Sequence, residues 1–402
     1  MHFLDDLKWR GLIHQTTDSS EGMKALYSHF NKGPVKAYCG FDPTSDSLHI
    51  GSLLPILNLV RLQKAGHKPI AVVGGATGMI GDPSGKTQER TLLDSAALEK
   101  NLAGIRNQLG RFLDFSGSSG ATLVNNFDWF KSISYIDFLR DVGKSFSVNM
   151  MLGKESVRAR LEDRDHGISY TEFSYMLLQA YDFYVLFKNH DCTLQLGGSD
   201  QWGNIVAGID LIRRNTSKES FGITWPLVTK SDGAKFGKSE KGNVWLDSAR
   251  TSPYEFYQFL LQVDDKDVVH FLKIFTFLSE KEILELAECV KKSPEKREAQ
   301  KMLAQELTRY VHGAEELLGA EKASQALFSE DLSQMDLKTL LTTMADAPQT
   351  KLPLSRFDTG IAALDLLVES GLCASKGAAR KDIQGGGIYL NNARLSDVNL
   401  VV

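Results

Sequence analysis

A doubly wound parallel α/β sheet, interrupted by an inserted helical region and followed by helices, is the fold class this sequence predicts. Three observations carry that expectation. Short apolar or β-branched runs closed by turn residues recur at Val35–Cys39, Ile70–Val73, Thr122–Val124 and Thr193–Leu196. Between the first two, Leu53, Ile56, Leu57 and Val60 fall at helical spacing, and Gly66 marks a stop. After about residue 250 the helical period takes over.

Strands that alternate with crossover helices lie parallel in one sheet, so residues 1–248 read as a Rossmann-like domain. Residues from about 86 to 190 are too many for one crossover, and they include the charged run 153–167, so they read as an insertion. Residues 249–327 read as an α-helical domain. Ser252-Pro253-Tyr254-Glu255 opens it with an N-cap serine, a proline at the first helical position and a glutamate closing a capping box. Ser279-Glu280-Lys281-Glu282 is a second box. Periodicity weakens over 328–353, where Pro348 and Pro353 mark a linker. A small module closes the chain at 354–402. In it Leu364, Leu367 and Val368 predict a helix ended by Gly371, and Ile388-Tyr389-Leu390-Asn391-Asn392 a strand entering a turn.

Composition bounds the function. The chain has 402 residues, 42% hydrophobic and 24% charged, which is ordinary for a soluble globular protein. No apolar run approaches the roughly 20 residues needed to cross a bilayer, and no membrane partner is expected. The charged N-terminus lacks the apolar core of a secretory signal. Cys39, Cys192, Cys289 and Cys373 are scattered, which fits a reducing compartment and excludes a zinc cage of cysteines. A cytoplasmic location with no dedicated metal site is the expectation. The net charge of −4 neither supplies nor forbids the local basic patches that RNA binding requires.

Four segments carry chemistry. Phe41-Asp42-Pro43-Thr44 through His49-Ile50-Gly51-Ser52 lies between a strand and a helix start, where unpaired N–H groups and a positive dipole end suit phosphate. His49 can donate to a phosphate oxygen, Gly51 admits a flat ligand, and the rival reading is an ordinary capped turn. Gly74 through Gly85, just before Lys86, places five glycines in twelve residues, with Asp82 able to receive an ammonium group. It is neither a Walker A loop nor a dinucleotide fingerprint. Tyr170–Asp182 reads as a helix that puts Tyr175, Gln179 and Asp182 on one face, either its solvent side or the wall of a pocket. Lys235-Phe236-Gly237-Lys238-Ser239 sets two lysines on a glycine-containing loop able to close over phosphates, and alone it would be a solvated loop.

These pieces occur together and in order, and in AYCGFDPTSDSLHIG, VGGATGMIGDPSGK, YTEFSYMLLQAYDF, GGSDQWGN and DGAKFGKS the chain resembles bacterial tyrosyl-tRNA synthetases throughout. The resemblance implies activation of L-tyrosine with ATP to tyrosyl-adenylate, then transfer to the 3′ end of tRNA(Tyr). It implies Mg²⁺ arriving on the ATP, and a homodimer whose interface lies in the inserted region. Carried over by motif, Tyr38 and Asp182 contact the phenol hydroxyl, Asp82, Tyr175 and Gln179 the ammonium, and Gln201 lies near the carboxylate. Cys39, Gly40, Gly51 and Asp200 fall toward adenosine, with Asp42, Thr44, His49 and Ser52 on the same nucleotide. Lys86, Arg90, Lys235 and Lys238 resemble the basic residues that gather around pyrophosphate, and with His49 form the expected catalytic set. Ser52 stands where the family signature usually has a second histidine.

The closing module resembles an S4-type RNA-binding domain, with Lys376, Arg380, Lys381 and Arg394 as expected RNA contacts. Related chains usually continue through further basic strands beyond Val402. Either this chain is shortened or the module is incomplete, and the expectation is intact tyrosine activation with weak, salt-sensitive charging. Two rivals remain at the level of sequence. A tryptophanyl-tRNA synthetase shares the architecture, but Tyr38 with Asp182 favours a phenol. An RNA-binding protein that has lost activation is opposed by the lysines of KFGKS.

Overall fold

The computed structural model describes residues 2–84, 94–162, 167–239, 242–328, 350–391 and 393–402. They form two compact units, 1–251 with 263–303 and 252–262 with 304–402.

The first unit is built on six strands: β1 (Gln15–Thr16), β2 (Lys36–Phe41), β3 (Lys68–Val73), β4 (Thr122–Asn125), β5 (Leu194–Gly198) and β6 (Phe221–Trp225). Their order is β1-β6-β5-β2-β3-β4, with β1 antiparallel to β6 and every other pair parallel. The four expected strands are present. β6 and the two-residue β1 complete the sheet. Strands covered on both faces need apolar residues at every position, not alternate ones, and Pro69 through Val73 are all buried.

Helix Leu53–Lys64 makes the crossover from β2 to β3, and Gly66 ends that segment at φ 87°. Helix Ser95–Phe112 leads into β4, so the 86–190 range contains a sheet strand besides its own helices. Among the described residues between β4 and the long helix Tyr170–His190 lie four short α-helices, Phe127–Phe130, Tyr135–Asp141, Val148–Leu152 and Glu155–Glu162. Tyr135, Ile136, Val148, Leu161 and Tyr170 of this region are each more than half exposed. Beneath them the ion pair Arg160–Glu172, 2.8 Å and buried, ties the last short helix to the long one.

Helix Asp265–Phe275 belongs to the same unit, and its C-terminal end is held by two buried guanidinium groups. Arg10 donates to the carbonyls of Lys273, Thr276 and Leu278 at 2.6, 3.0 and 2.9 Å. Arg61 donates to those of Ile274 and Thr276 at 2.8 and 3.1 Å. Cations at a helix C-terminus satisfy its orphan carbonyls and oppose its dipole.

In the second unit, Ser252 and Glu255 form the expected capping box on helix Pro253–Leu261. Helices Ala363–Glu369 and Lys376–Gly385 pack around Leu367, Cys373, Ala379 and Ile383. The strands Tyr389–Leu390 and Ala393–Arg394 pair antiparallel beside them. No helix among the described residues is long and apolar enough to cross a membrane.

Candidate active site

The chain runs outward from β2 through β3 to β4, then returns to the other side of β2 as β5 and β6. Parallel sheets open a crevice at the carboxyl ends of their strands where the order reverses. A cleft of about 470 Å³ lies there, lined by Tyr38 through Asp42 from β2 and by Gln195 through Gly198 from β5.

One end of the cleft is buried and polar. Tyr38 is 2% exposed, and its hydroxyl has no hydrogen-bond partner among the described residues. Asp182 is nearly as buried, and each of its carboxylate oxygens accepts one bond. Trp129 Nε1 donates at 2.8 Å and Asn126 Nδ2 at 3.1 Å. Burial pushes the Asp182 carboxyl up to about 8, against the pull of those two donors. The same burial, and then the nearby Asp182 charge, raises the Tyr38 phenol. Asn126, fully buried, also donates to Thr77 Oγ1 at 3.0 Å and accepts the Ala76 N–H at 2.7 Å. Thr77 passes its proton on to Asp42 Oδ1 at 2.9 Å, and Tyr175 donates to Asp42 Oδ2 at 3.0 Å.

Asp82 sits beyond Tyr175. It accepts the Ser84 N–H at 2.9 Å on one oxygen and Gln201 Nε2 at 2.8 Å on the other. Tyr175, Gln179 and Asp182, read as one helix face, all line this cleft. Of the two open readings of that face, the wall of a pocket is the one found.

The other end is shallower and held by backbone. His49 turns Nδ1 onto the Gly51 N–H at 3.0 Å, so the histidine is itself the cap, and Ser52 makes no capping bond. A Cβ at Gly51 would lie 2.8 Å from the His49 ring, which explains the glycine by that ring as well as by an approaching ligand. The H-I-G segment bridges Val244–Leu246, with Ile50 N–H on the Val244 carbonyl at 2.8 Å and Leu246 N–H on that of Leu48 at 2.9 Å. Buried Gln108 accepts the Leu48 N–H at 2.7 Å and donates to Ser47 at 2.9 Å. Phe236 anchors the lysine loop by packing on Phe271 and Phe275 at ring separations of 4.3 and 5.2 Å. The following residues, Lys238–Ser239, pair with Gly242–Asn243 as a short hairpin.

Most expected site residues therefore meet. Tyr38, Cys39, Gly40, Asp42, His49, Gly51, Asp82, Asp200, Gln201 and Lys235 all line the cleft. Asp42 lines the cleft as expected, and its carboxylate also receives Tyr175 and Thr77. Thr44 is exposed, and neither it nor Ser52 lines the cleft. Lys86 and Arg90 lie outside the described residues, and Lys238 is described only by its backbone. The glycine loop is tight against its own protein. A Cβ on Gly78 would meet Pro43 at 2.8 Å.

Sequence reasoning missed Asn126, Trp129 and Gln195. Gln195 is 3% exposed, lines the cleft and leaves Oε1 unpartnered among the described residues. Asn126 directly follows the strand β4, and the rule that ligands gather at strand C-termini was a signal for it.

A family model described as class I tRNA synthetases (W and Y) matches residues 31–329, and one for the SYY-like C-terminal domain of tyrosine–tRNA ligase matches 340–402. Sheet order, switch-point cleft and paired signatures thus define a class I aminoacyl-tRNA synthetase. The tyrosine–tRNA ligase of Bacillus caldotenax is 52% identical over 404 residues, covering 100% of this chain and 94% of that one. That of Roseiflexus castenholzii is 52% identical over 397 residues, or 98% and 92%. The chain belongs to the tyrosine–tRNA ligase family. Among solved structures, a C-terminally truncated mitochondrial tyrosyl-tRNA synthetase from Aspergillus nidulans aligns with TM-score 0.73 and 33% identity over 81% of this chain and 94% of that one. Tyrosyl-tRNA synthetase from Archaeoglobus fulgidus, complexed with L-tyrosine, shares the fold at TM-score 0.57 and 16% identity over 79% and 99%.

Proposed function

We propose that the buried end of the cleft takes the tyrosine side chain and that the shallower end takes Mg²⁺-ATP. The observation that carries this is Asp182. A carboxyl so deeply buried, held by two N–H donors beside an unpartnered Tyr38 hydroxyl, is arranged for a small polar group at the end of an apolar ring. Asp82, Tyr175 and Gln179 then receive the ammonium, and Gln201 faces the carboxylate. That carboxylate attacks the α-phosphate in line, pyrophosphate leaves, and a terminal ribose hydroxyl of tRNA takes the tyrosyl group from the adenylate. Cys39, Gly40, Gly51 and Asp200 cradle adenosine. His49, Lys86, Arg90, Lys235 and Lys238 stabilise charge on the leaving phosphates, so catalysis rests on position and electrostatics.

The proposal extends to partners. The exposed apolar residues Tyr135, Ile136, Val148 and Tyr170 support a homodimer formed through the inserted region. Residues 249–327 and the S4-like module 354–402, joined by 328–353, take tRNA in the cytoplasm. Arg380, Lys381 and Arg394 are exposed for phosphates, whereas Lys376 is paired with Asp365.

Tyrosine-dependent exchange of pyrophosphate into ATP, run against phenylalanine, tests the site. Wild type should exchange with tyrosine and hardly with phenylalanine, and Asp182→Ala should narrow that gap. An unchanged ratio would remove Asp182 from the phenol site.

A further inference from the structure

Lys154 lies between helices Val148–Leu152 and Glu155–Glu162, in the region with the exposed apolar surface, and outside every quoted motif in sequence although it touches GGSDQWGN. Its stem crosses Gly203 so closely that a Cβ there would come within 2.8 Å of Lys154 Cε. Its ammonium donates to Asn204 Oδ1. Asn204, fully buried, turns Nδ2 onto Gln201 Oε1 at 3.1 Å, and Gln201 turns Nε2 onto Asp82 Oδ2 at 2.8 Å.

The direction of this chain is its content. A side-chain amide has a donor end and an acceptor end of nearly equal shape, and its partners decide which way it faces. An ammonium can only donate. Lys154 therefore takes the oxygen of Asn204, which leaves the Asn204 nitrogen for the oxygen of Gln201. The Gln201 nitrogen is then what meets Asp82. Asp82 and Asp200, which only accept, hold the Gln201 nitrogen from the other end at 2.8 and 3.2 Å. The chain is thus pinned at both ends, and without Lys154 the Asn204 end is free to invert and set its oxygen against that of Gln201.

We propose that Lys154 is a positioning residue for tyrosine activation, fixing the direction of the Asn204–Gln201 chain that presents Asp82 to the substrate ammonium. This rests on the reading of Asp82 as an ammonium ligand. Burial lowers the Lys154 ammonium to about 8, and the charges of Asp82 and Asp200 oppose that loss, so the cation answers to the carboxylates of the site.

Three variants of Lys154 test it in the exchange assay, each judged for folding by its thermal transition. Lys154→Met keeps the stem over Gly203 and removes the donor. It should raise the tyrosine KM about tenfold while the ATP KM moves less than about twofold. Lys154→Gln keeps a hydrogen bond without its direction and should fall on the same side. Lys154→Arg, again a pure donor, should restore most of the affinity. A tyrosine KM unmoved in Lys154→Gln, or ATP and tyrosine KM rising together, overturns the inference. Asp82→Asn is the control. If it leaves the tyrosine KM unchanged, the ammonium assignment falls and this inference with it. If it raises that KM while Lys154→Met and Lys154→Gln do not, the inference alone fails.

Discussion

The two ends of the cleft are organised on opposite plans. Around Asp182 the polar groups are buried and joined by side-chain hydrogen bonds reaching from Trp129 through Asn126 and Thr77 to Asp42 and Tyr175. Around His49 and Lys235 the frame is backbone, fixed by a bridge to Trp245 and by the Phe236 anchor, and Lys235 itself is exposed. The contrast separates two tasks. Telling one amino acid from another needs groups that suffer when the wrong ligand leaves them unpaired, which requires burial. Gathering charge on phosphates needs cations that can arrive and leave, and a solvated loop on a firm base permits that.

The comparison breaks most visibly at Asp182. Asp182→Ala takes the acceptor from Asn126 Nδ2 and Trp129 Nε1, and kcat/KM for tyrosine should fall about a hundredfold, the scale of a buried polar group left unsatisfied. A loss seen equally with phenylalanine would mean the end is structural and not selective. Lys235→Ala tests the other plan. Single-turnover adenylate formation should slow about thirtyfold with tyrosine affinity unchanged, as for a group engaged in the transition state. Equal losses in both would make the loop a binding surface only.

Ser52→His restores the usual residue of the signature, and ATP use should change by about tenfold or less, ~1.4 kcal/mol. The capping bond already belongs to His49, so a much larger change would show that position 52 reaches the nucleotide. Asp182→Asn gives the smallest signal. Burial holds the folded carboxyl at about 8 against an ordinary 3.8, so the folded protein keeps a proton that the unfolded chain has lost. Wild-type stability therefore falls as pH rises through that window. The melting temperature of unliganded Asp182→Asn relative to wild type should move in the variant's favour by about 2 °C between pH 5 and pH 8.5. An equal offset at both would deny the raised carboxyl.

What the sequence disclosed follows from distance along the chain. Tyr175, Gln179 and Asp182 share one helix, so spacing alone put them on a common face. The central strands β2 and β3 were legible because residues buried on both sides leave an unbroken apolar run. β6 contains Gly222 and Thr224, and its strand character comes from pairing with β5, which no local pattern carries. Asn126 and Trp129 meet Asp182 across more than fifty residues, and Gln108 reaches Leu48 across sixty. Contacts of that span are made by the sheet, not by the segment. Asp42 was read with its neighbours in the H-I-G turn, and its carboxylate also receives Thr77 and Tyr175, 35 and 133 residues further along the chain.

Arg10 carries a consequence for how this protein is made. Its guanidinium is buried, and the carbonyls it serves lie 263 to 268 residues further along the chain. On a ribosome, at about 5–20 residues per second, those carbonyls emerge many seconds after the arginine. Until then the guanidinium at the end of helix Phe3–Arg10 has Asp6 at 2.7 Å and the ring of Trp9 beside it. The first unit, which includes residues 263–303, therefore completes the hydrogen bonds of Arg10 only after the chain has grown past Leu278. The helix that Arg10 holds is also the one whose Phe271 and Phe275 seat the lysine loop, so the nucleotide end of the cleft is completed by residues made after both strands that wall it.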